Sequence, residues 1–147
     1  MFVTISMNKT VLTLLAFCFY LNCFAQIGKV VVEIENIQVK KGGKMAVAGF
    51  TSNNFLKTGK QITAVTRDVT AAKMIFTFEN LPAGDYAFVA YQDIDRNNSM
   101  KTNIIGYPKE PFGFSNNPAI IFGPPSFEES KITVTANKTT TAKIKLR

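Results

Sequence analysis

Asp93, Asp95, Asn97 and Ser99 place oxygen-bearing groups at every second position of the run Asp93-Ile94-Asp95-Arg96-Asn97-Asn98-Ser99-Met100. That spacing can bring several oxygens onto one hard cation, and the cation it suits best is calcium. Asp93, Asp95 and Asn97 take positions 1, 3 and 5 of the EF-hand ligand order. The Ser99 carbonyl takes position 7, and Met100 is the apolar residue that tucks the loop inward. Asn98 stands at position 6, where asparagine is the non-glycine residue that best accepts positive φ. Position 9 is Lys101, a cation, and position 12 is Ile104, which cannot ligate. A further acid must come from elsewhere, with Glu110 and Glu128 as the choices. Two carboxylates beside a lysine predict a weak site, roughly in the millimolar range. The competing reading is favoured: Asp and Asn close Asx-turns that hold the loop without metal.

A second group lies downstream. Tyr107, Phe112 and Phe114, with Glu110 and the polar stretch Ser115-Asn116-Asn117, could stack on a sugar or grip a peptide. The plainer alternative is that these aromatics only anchor the loop to the domain. Catalysis has little to work with. The chain has no His, and both cysteines, Cys18 and Cys23, lie in the N-terminal segment. Downstream of them no thiol nucleophile, zinc–thiolate site or imidazole base is available, and no Ser-x-x-Lys occurs. A glycosidase-like carboxylate pair could be drawn only from Asp93, Asp95, Glu110 and Glu128. Acids clustered in one loop more often bind cations or turn the chain, so the expectation is a protein that is not an enzyme.

Short strands must position these residues. Period-two alternation with β-branched and aromatic residues runs over Lys29–Ile37, Lys44–Thr51, Gln61–Thr66, Lys73–Glu79, Asp85–Gln92, Lys131–Thr135 and Thr141–Leu146, with a weaker eighth over Ala119–Phe122. Gly and Asn punctuate them. Phe78-Glu79-Asn80-Leu81-Pro82-Ala83-Gly84-Asp85-Tyr86 ends one strand, drops Leu81 into the core and turns through Gly84 before Tyr86. The prediction is all-β: an antiparallel immunoglobulin-like or transthyretin-like sandwich of about seven strands with one long ordered loop. Val30, Val32 and Ile34, Met74, Phe76 and Phe78, and Ile144 and Leu146 are expected inside.

The long loop spans Asp93 to about Ser130. Tyr107, Phe112, Phe114, Phe122 and Phe127 are its expected anchors, and their burial, at roughly 1.5 to 3 kcal/mol each, offsets its ordering entropy. Ser126-Phe127-Glu128-Glu129 fits a capping box and predicts one helical turn.

The N-terminal residues have the order of a secretory leader. Asn8-Lys9-Thr10 is a basic lead, Val11 to Leu21 an apolar run, and Cys23-Phe24-Ala25 ends on a small residue. The apolar run is shorter than the roughly 18 to 20 residues that span a bilayer. Residues 1–25 are therefore expected to be a signal peptide whose true start is Met7, and 26–147 a single β-sandwich domain. No transmembrane helix is expected after cleavage. Without Lys9, the charge falls from +7 to +6, with 16 basic residues against 10 acids. The lysines are scattered, which predicts a solvated surface rather than a nucleic-acid site.

The loop residues carry a resemblance. Asp93-x-Asp95-x-Asn97, Thr102-Asn103-x-x-Gly106-x-Pro108-Lys109-Glu110-x-x-Gly113-Phe114-Ser115-Asn116-Asn117 and Gly123-Pro124-Pro125-Ser126-Phe127-Glu128 closely resemble the secreted bacterial family called domain of unknown function 2141. The resemblance runs from about Val30 to the C-terminus. It implies an exported location and a β-sandwich-like fold, and no reaction. The family tends to carry His-Asp-x-Asn-x-Asn-Gly-x-Leu-Asp in the acidic loop. Here Gln92 stands for the His, Asn98 for the Gly, Met100 for the Leu and Lys101 for the second acid. A transition-metal site through that His is thereby lost, and calcium binding is weakened.

The expected protein is an exported, non-catalytic binding or accessory module of the envelope or extracellular space, with an envelope protein or a glycan as partner. The alternatives are a purely structural envelope protein and a carboxylate-dependent hydrolase. Mass spectrometry of the exported protein is expected to find an unmodified chain beginning at Gln26. A lipid-modified Cys23 at the N-terminus would contradict the leader assignment.

Overall fold

The computed structural model describes residues 26–104 and 107–147. The expected leader, with Met7, Cys18 and Cys23, and Gly106 of the loop motif lie outside the described residues. Eight strands follow in order: β1 (Ile27–Glu35), β2 (Lys44–Phe50), β3 (Thr63–Asp68), β4 (Met74–Pro82), β5 (Gly84–Asp93), β6 (Phe112–Phe114), β7 (Lys131–Val134) and β8 (Thr139–Lys145). The expected helical turn is present as α1 (Phe127–Ser130), closed by the Ser126–Glu129 capping box. Two sheets form the sandwich. One has the order β4-β1-β8; the other runs β3-β2-β5-β6, with β7 also paired to β5. Every strand pair is antiparallel except β1 with β8, which is parallel.

Alternation explains the main core. Val30, Val32 and Ile34 of β1 are fully buried, as are Phe76 of β4 and Ile144 of β8. Tyr86, Phe88 and Ala90 of β5 meet them from the other sheet, and the Phe88 ring lies 5.0 Å from that of Phe78. The Leu81–Gly84 turn carries the chain from one sheet to the other. Leu81 is buried, Gly84 has φ +153°, and the Tyr86 hydroxyl donates to the Pro82 carbonyl at 3.0 Å.

One strand was expected in the wrong place. Ala119–Phe122 is not a strand, and Phe122 is fully exposed rather than an anchor. The eighth strand is Phe112-Gly113-Phe114, too short to show alternation in sequence. Its pairing explains its residues. Phe112 and Phe114 lie opposite Tyr91 and Val89. Gly113 lies against β8, where a Cβ would come within 2.6 Å of Ile144 Cγ2. Only glycine lets these backbones approach so closely.

The second face of β5 is covered too. Val89, Phe50, Phe112 and Phe114 form a separate buried cluster, with Phe55, Met100 and Ile120 packed on it. The chain end fastens this layer down. Arg147 N donates to Phe112 O at 3.0 Å, Phe112 N returns a bond to Arg147 O at 3.3 Å, and Leu146 N bonds Glu35 O at 3.0 Å.

Phe88→Ala should lower the unfolding free energy by about 3–5 kcal/mol, measured by denaturant melts. Ile75→Ala, on the exposed face of β4, should cost no more than about 0.5 kcal/mol. Equal losses would contradict the assigned faces.

Candidate functional site

β5 ends in two polar residues that point to opposite faces. Gln92 faces inward and is fully buried. Its amide donates to Gln38 O at 2.9 Å and Gly42 O at 2.7 Å, and its oxygen accepts from Gln38 N at 3.0 Å. It thus ties the turn before β2 to the end of β5. Asp93 faces the loop and is also buried. Its two oxygens accept from Asn97 N at 3.1 Å and Asn98 N at 2.8 Å. Gly43 makes room beside it, since a Cβ there would collide with the Asp93 carbonyl.

The rest of the acidic loop closes on itself. Asp95 Oδ1 accepts from Asn97 N at 3.3 Å, and Asn97 Oδ1 accepts from Ser99 N at 2.7 Å. These are successive Asx-turns. Asn98 takes positive φ (59°), and so does Arg96 (61°), whose guanidinium pairs with Asp68 at 2.9 Å.

Glu110 supplies the further acid. It is buried, accepting from Ile94 N at 2.9 Å and Lys101 N at 3.3 Å. Carboxylate oxygens of Asp93, Asp95 and Glu110 lie within 4.8 Å of one another. Glu128 is elsewhere, paired with Lys131 at 2.8 Å. The Lys101 ammonium pairs with Asp95 Oδ2 and so brings a cation to the cluster from the chain itself. That hydrogen bond holds the Asp95 carboxyl below its ordinary pKa and raises that of Lys101. The contribution of Asp95 is therefore present above its unfolded pKa and lost as pH falls through the lowered folded value.

Past Met100 the chain folds back on itself. Thr102 bridges Pro108, and Asn103 N donates to Tyr107 O at 2.7 Å. Thr102, Tyr107 and Pro108 form one wall of an apolar cleft of about 390 Å³. Val89, Phe112 and Phe114 make the floor, Tyr107 and Pro108 one wall, and Ile120, Ile121 and Pro124 the other. Leu56 and Met100 stand between this cleft and a second groove of about 480 Å³, which runs over Ala46, Ala48 and Ala64. Both readings of the aromatics therefore meet in one place. Phe112 and Phe114 are only 4% exposed and anchor the layer, yet their edges line the cleft. Tyr107, 48% exposed, packs edge-on against Phe112 at 5.7 Å.

Asn116 and Asn117 lie outside the cleft lining. Asn116 bonds Lys131 O at 2.7 Å, and Asn117 accepts from Lys145 N at 2.6 Å. Their amides fasten the backbone of β7 and β8.

Leu56 was not among the expected site residues. It sits at positive φ (57°), an uncommon conformation for a branched side chain, and reaches the rim of the cleft. Asn54 holds this segment, accepting from Thr51 N at 2.7 Å and donating to Lys60 O at 2.7 Å. The available signal was β5 itself, whose Ala87, Val89 and Tyr91 are as apolar as Tyr86, Phe88 and Ala90. A strand apolar on both faces needs a cover on both.

Glu110→Gln should destabilise the protein by about 1–3 kcal/mol, because the buried amide turns a donor toward one of two backbone N–H groups. Glu128→Gln should stay within about 0.5 kcal/mol, as expected of an exposed pair. Thermal melts of both variants check this, and indistinguishable melts would contradict the bonding assigned to Glu110.

The family profile of an uncharacterised protein conserved in bacteria, DUF2141, matches residues 32–143. No curated protein and no solved structure shows a significant match. No helix among the described residues is long and apolar enough to cross a membrane. The profile takes in β2 to β7, both clefts and the whole acidic loop, and the chain belongs to the DUF2141 family.

Proposed function

We propose that the protein is an exported, non-catalytic binding module that seats an apolar group of its partner in the cleft over Phe112 and Phe114. The observation that carries this reading is an open apolar cleft of about 390 Å³ on a preformed aromatic floor. The aromatic floor residues, Phe112 and Phe114, sit in a strand paired to β5 and pack edge to face 6.0 Å apart, with Phe55 6.4 Å from Phe114. A floor already ordered before binding costs little further entropy, which is what a binding pocket needs. The apolar lining suits an aliphatic or aromatic side chain of an envelope protein better than a sugar, which requires convergent polar groups. The leader-like residues 1–25 support export.

The test is titration with a naphthylamine dye that fluoresces in apolar surroundings. The parent protein should bind it at one site, and Leu56→Asp should weaken binding about tenfold or more by placing a charge at the rim. Aspartate tolerates the positive φ at this position, so the variant should fold. A parent that leaves the dye dark, or a variant that binds equally well, would overturn the reading.

A second reading, weak calcium binding at the acidic loop, is favoured by the convergence of Glu110 on Asp93 and Asp95. Oxygen donors and net negative charge suit that cation, and Lys101 competes with it. At ten times its dissociation constant, calcium should stabilise the parent by about 1.4 kcal/mol. Lys101→Asp should increase the effect. Melting temperatures unmoved by calcium in both proteins would dispose of this reading.

A further inference from the structure

Three stretches of chain form the lips of the apolar cleft: 54–61 through Leu56, the described residues 100–104 and 107–109 through Met100, Tyr107 and Pro108, and 118–125 through Ile120, Ile121 and Pro124. Their apolar side chains do not all turn inward. Ile104 and Phe122 are fully exposed, and Ile121 is 75% exposed. These are separate side chains standing out from two loops on opposite walls of one cleft. Exposed side chains of this kind can enter the interfacial layer of a bilayer without any change in the fold.

The charge of the same segments is one-sided. They carry Lys57, Lys60, Lys101 and Lys109, and no acid at all. The acids of the flanking stretches are bonded within the protein. Asp93 and Glu110 are buried against backbone donors, and Asp95 is paired with Lys101. Glu129 accepts from Ser126 N at 2.8 Å, and Glu128 pairs with Lys131. Apolar tips on segments that carry lysines and no acid match a surface that is apolar within and anionic at its face.

We propose that the protein docks on an anionic lipid bilayer through the lips of its cleft, with Ile104, Ile121 and Phe122 inserted and Lys57, Lys60 and Lys109 against the headgroups. Docking does not depend on what occupies the cleft. It would bring the mouth of the cleft to the membrane surface, where an apolar group of an envelope partner is within reach.

The experiment is co-sedimentation of the full chain, after leader removal, with vesicles of phosphatidylcholine alone or mixed with phosphatidylglycerol. The parent should bind the mixed vesicles and largely ignore the neutral ones. Raising salt from about 0.05 to 0.5 M should weaken binding by screening the lysines. Ile104→Ser with Phe122→Ser should reduce partitioning about tenfold or more, since each substitution removes an inserted apolar side chain. Lys57→Gln with Lys60→Gln and Lys109→Gln should reduce partitioning and flatten the salt dependence. All five positions are exposed, so thermal melts of these variants should match the parent. The Ile104→Ser, Phe122→Ser variant should still bind the dye like the parent, because neither residue lines the cleft, which separates this proposal from the cleft reading. Absence of binding to the mixed vesicles at low salt would overturn the proposal. So would undiminished binding by the Ile104→Ser, Phe122→Ser variant, the mark of bare charge attraction. A concentration-dependent dimer that these two serines dissolve would overturn it as well, by assigning the lips to a second copy of the chain.

Discussion

The structure depends on a central strand that must be covered on both faces. β5 pairs with β2 on one edge and with β6 and β7 on the other. Toward β1 it presents Tyr86, Phe88 and Ala90; away from β1 it presents Ala87, Val89 and Tyr91. A single sandwich covers only the first set. Leaving the second open to water would forgo roughly 25 cal/mol for each Å² of apolar surface. The long segment after β5 is the answer to that constraint. It returns Phe112 and Phe114 as a short strand beside β5 and lays Met100 and Ile120 over Val89.

The cover is incomplete where binding is proposed. Along β6 the outer layer closes on an aromatic floor, but the walls remain apart, and over β2 and β3 the surface is floored by alanines. The polar ends of β5 fix the geometry of this arrangement. Gln92 holds the turn before β2, and Asp93 holds the acidic loop through two backbone amides. Glu110 then bonds both limbs of the loop, at Ile94 and at Lys101. The carboxylates that read as calcium ligands are thus also the struts of the cleft wall that carries Met100 and Tyr107. A cation would have to share atoms that already hold the loop, and Lys101 moderates their charge.

The sandwich was legible in the sequence because six of its strands alternate over four or more residues and the seventh, β5, is a bounded apolar run rich in aromatic residues. So were the α1 capping box and the Leu81–Gly84 turn, which rest on local chemistry. What escaped was set by tertiary contact. Phe112-Gly113-Phe114 becomes a strand only because Tyr91 and Val89 lie opposite and β8 lies beneath Gly113. Ala119–Phe122 has strand-like composition and no strand to pair with. Glu110 could be named as a partner for the acidic loop, but nothing in sequence separates it from Glu128. Asn116 and Asn117 look like ligand-binding amides until their partners, the backbone of Lys131 and of Lys143 and Lys145, are known. Leu56 carries no local signal, since its place on the rim follows from a positive φ; only the doubly apolar β5 indicates that this face needs a cover.

The central claim is that the outer face of the second sheet, and not the charged face of the first, is where this protein meets its partner. Amide chemical-shift mapping with an apolar peptide or acyl probe tests it most directly. The account predicts shifts confined to Leu56, Val89, Met100, Tyr107, Phe112, Phe114 and Ile120, with β1, β4 and β8 unmoved. Shifts clustered on the outward residues Val31, Glu33, Thr77 and Lys143 would contradict it.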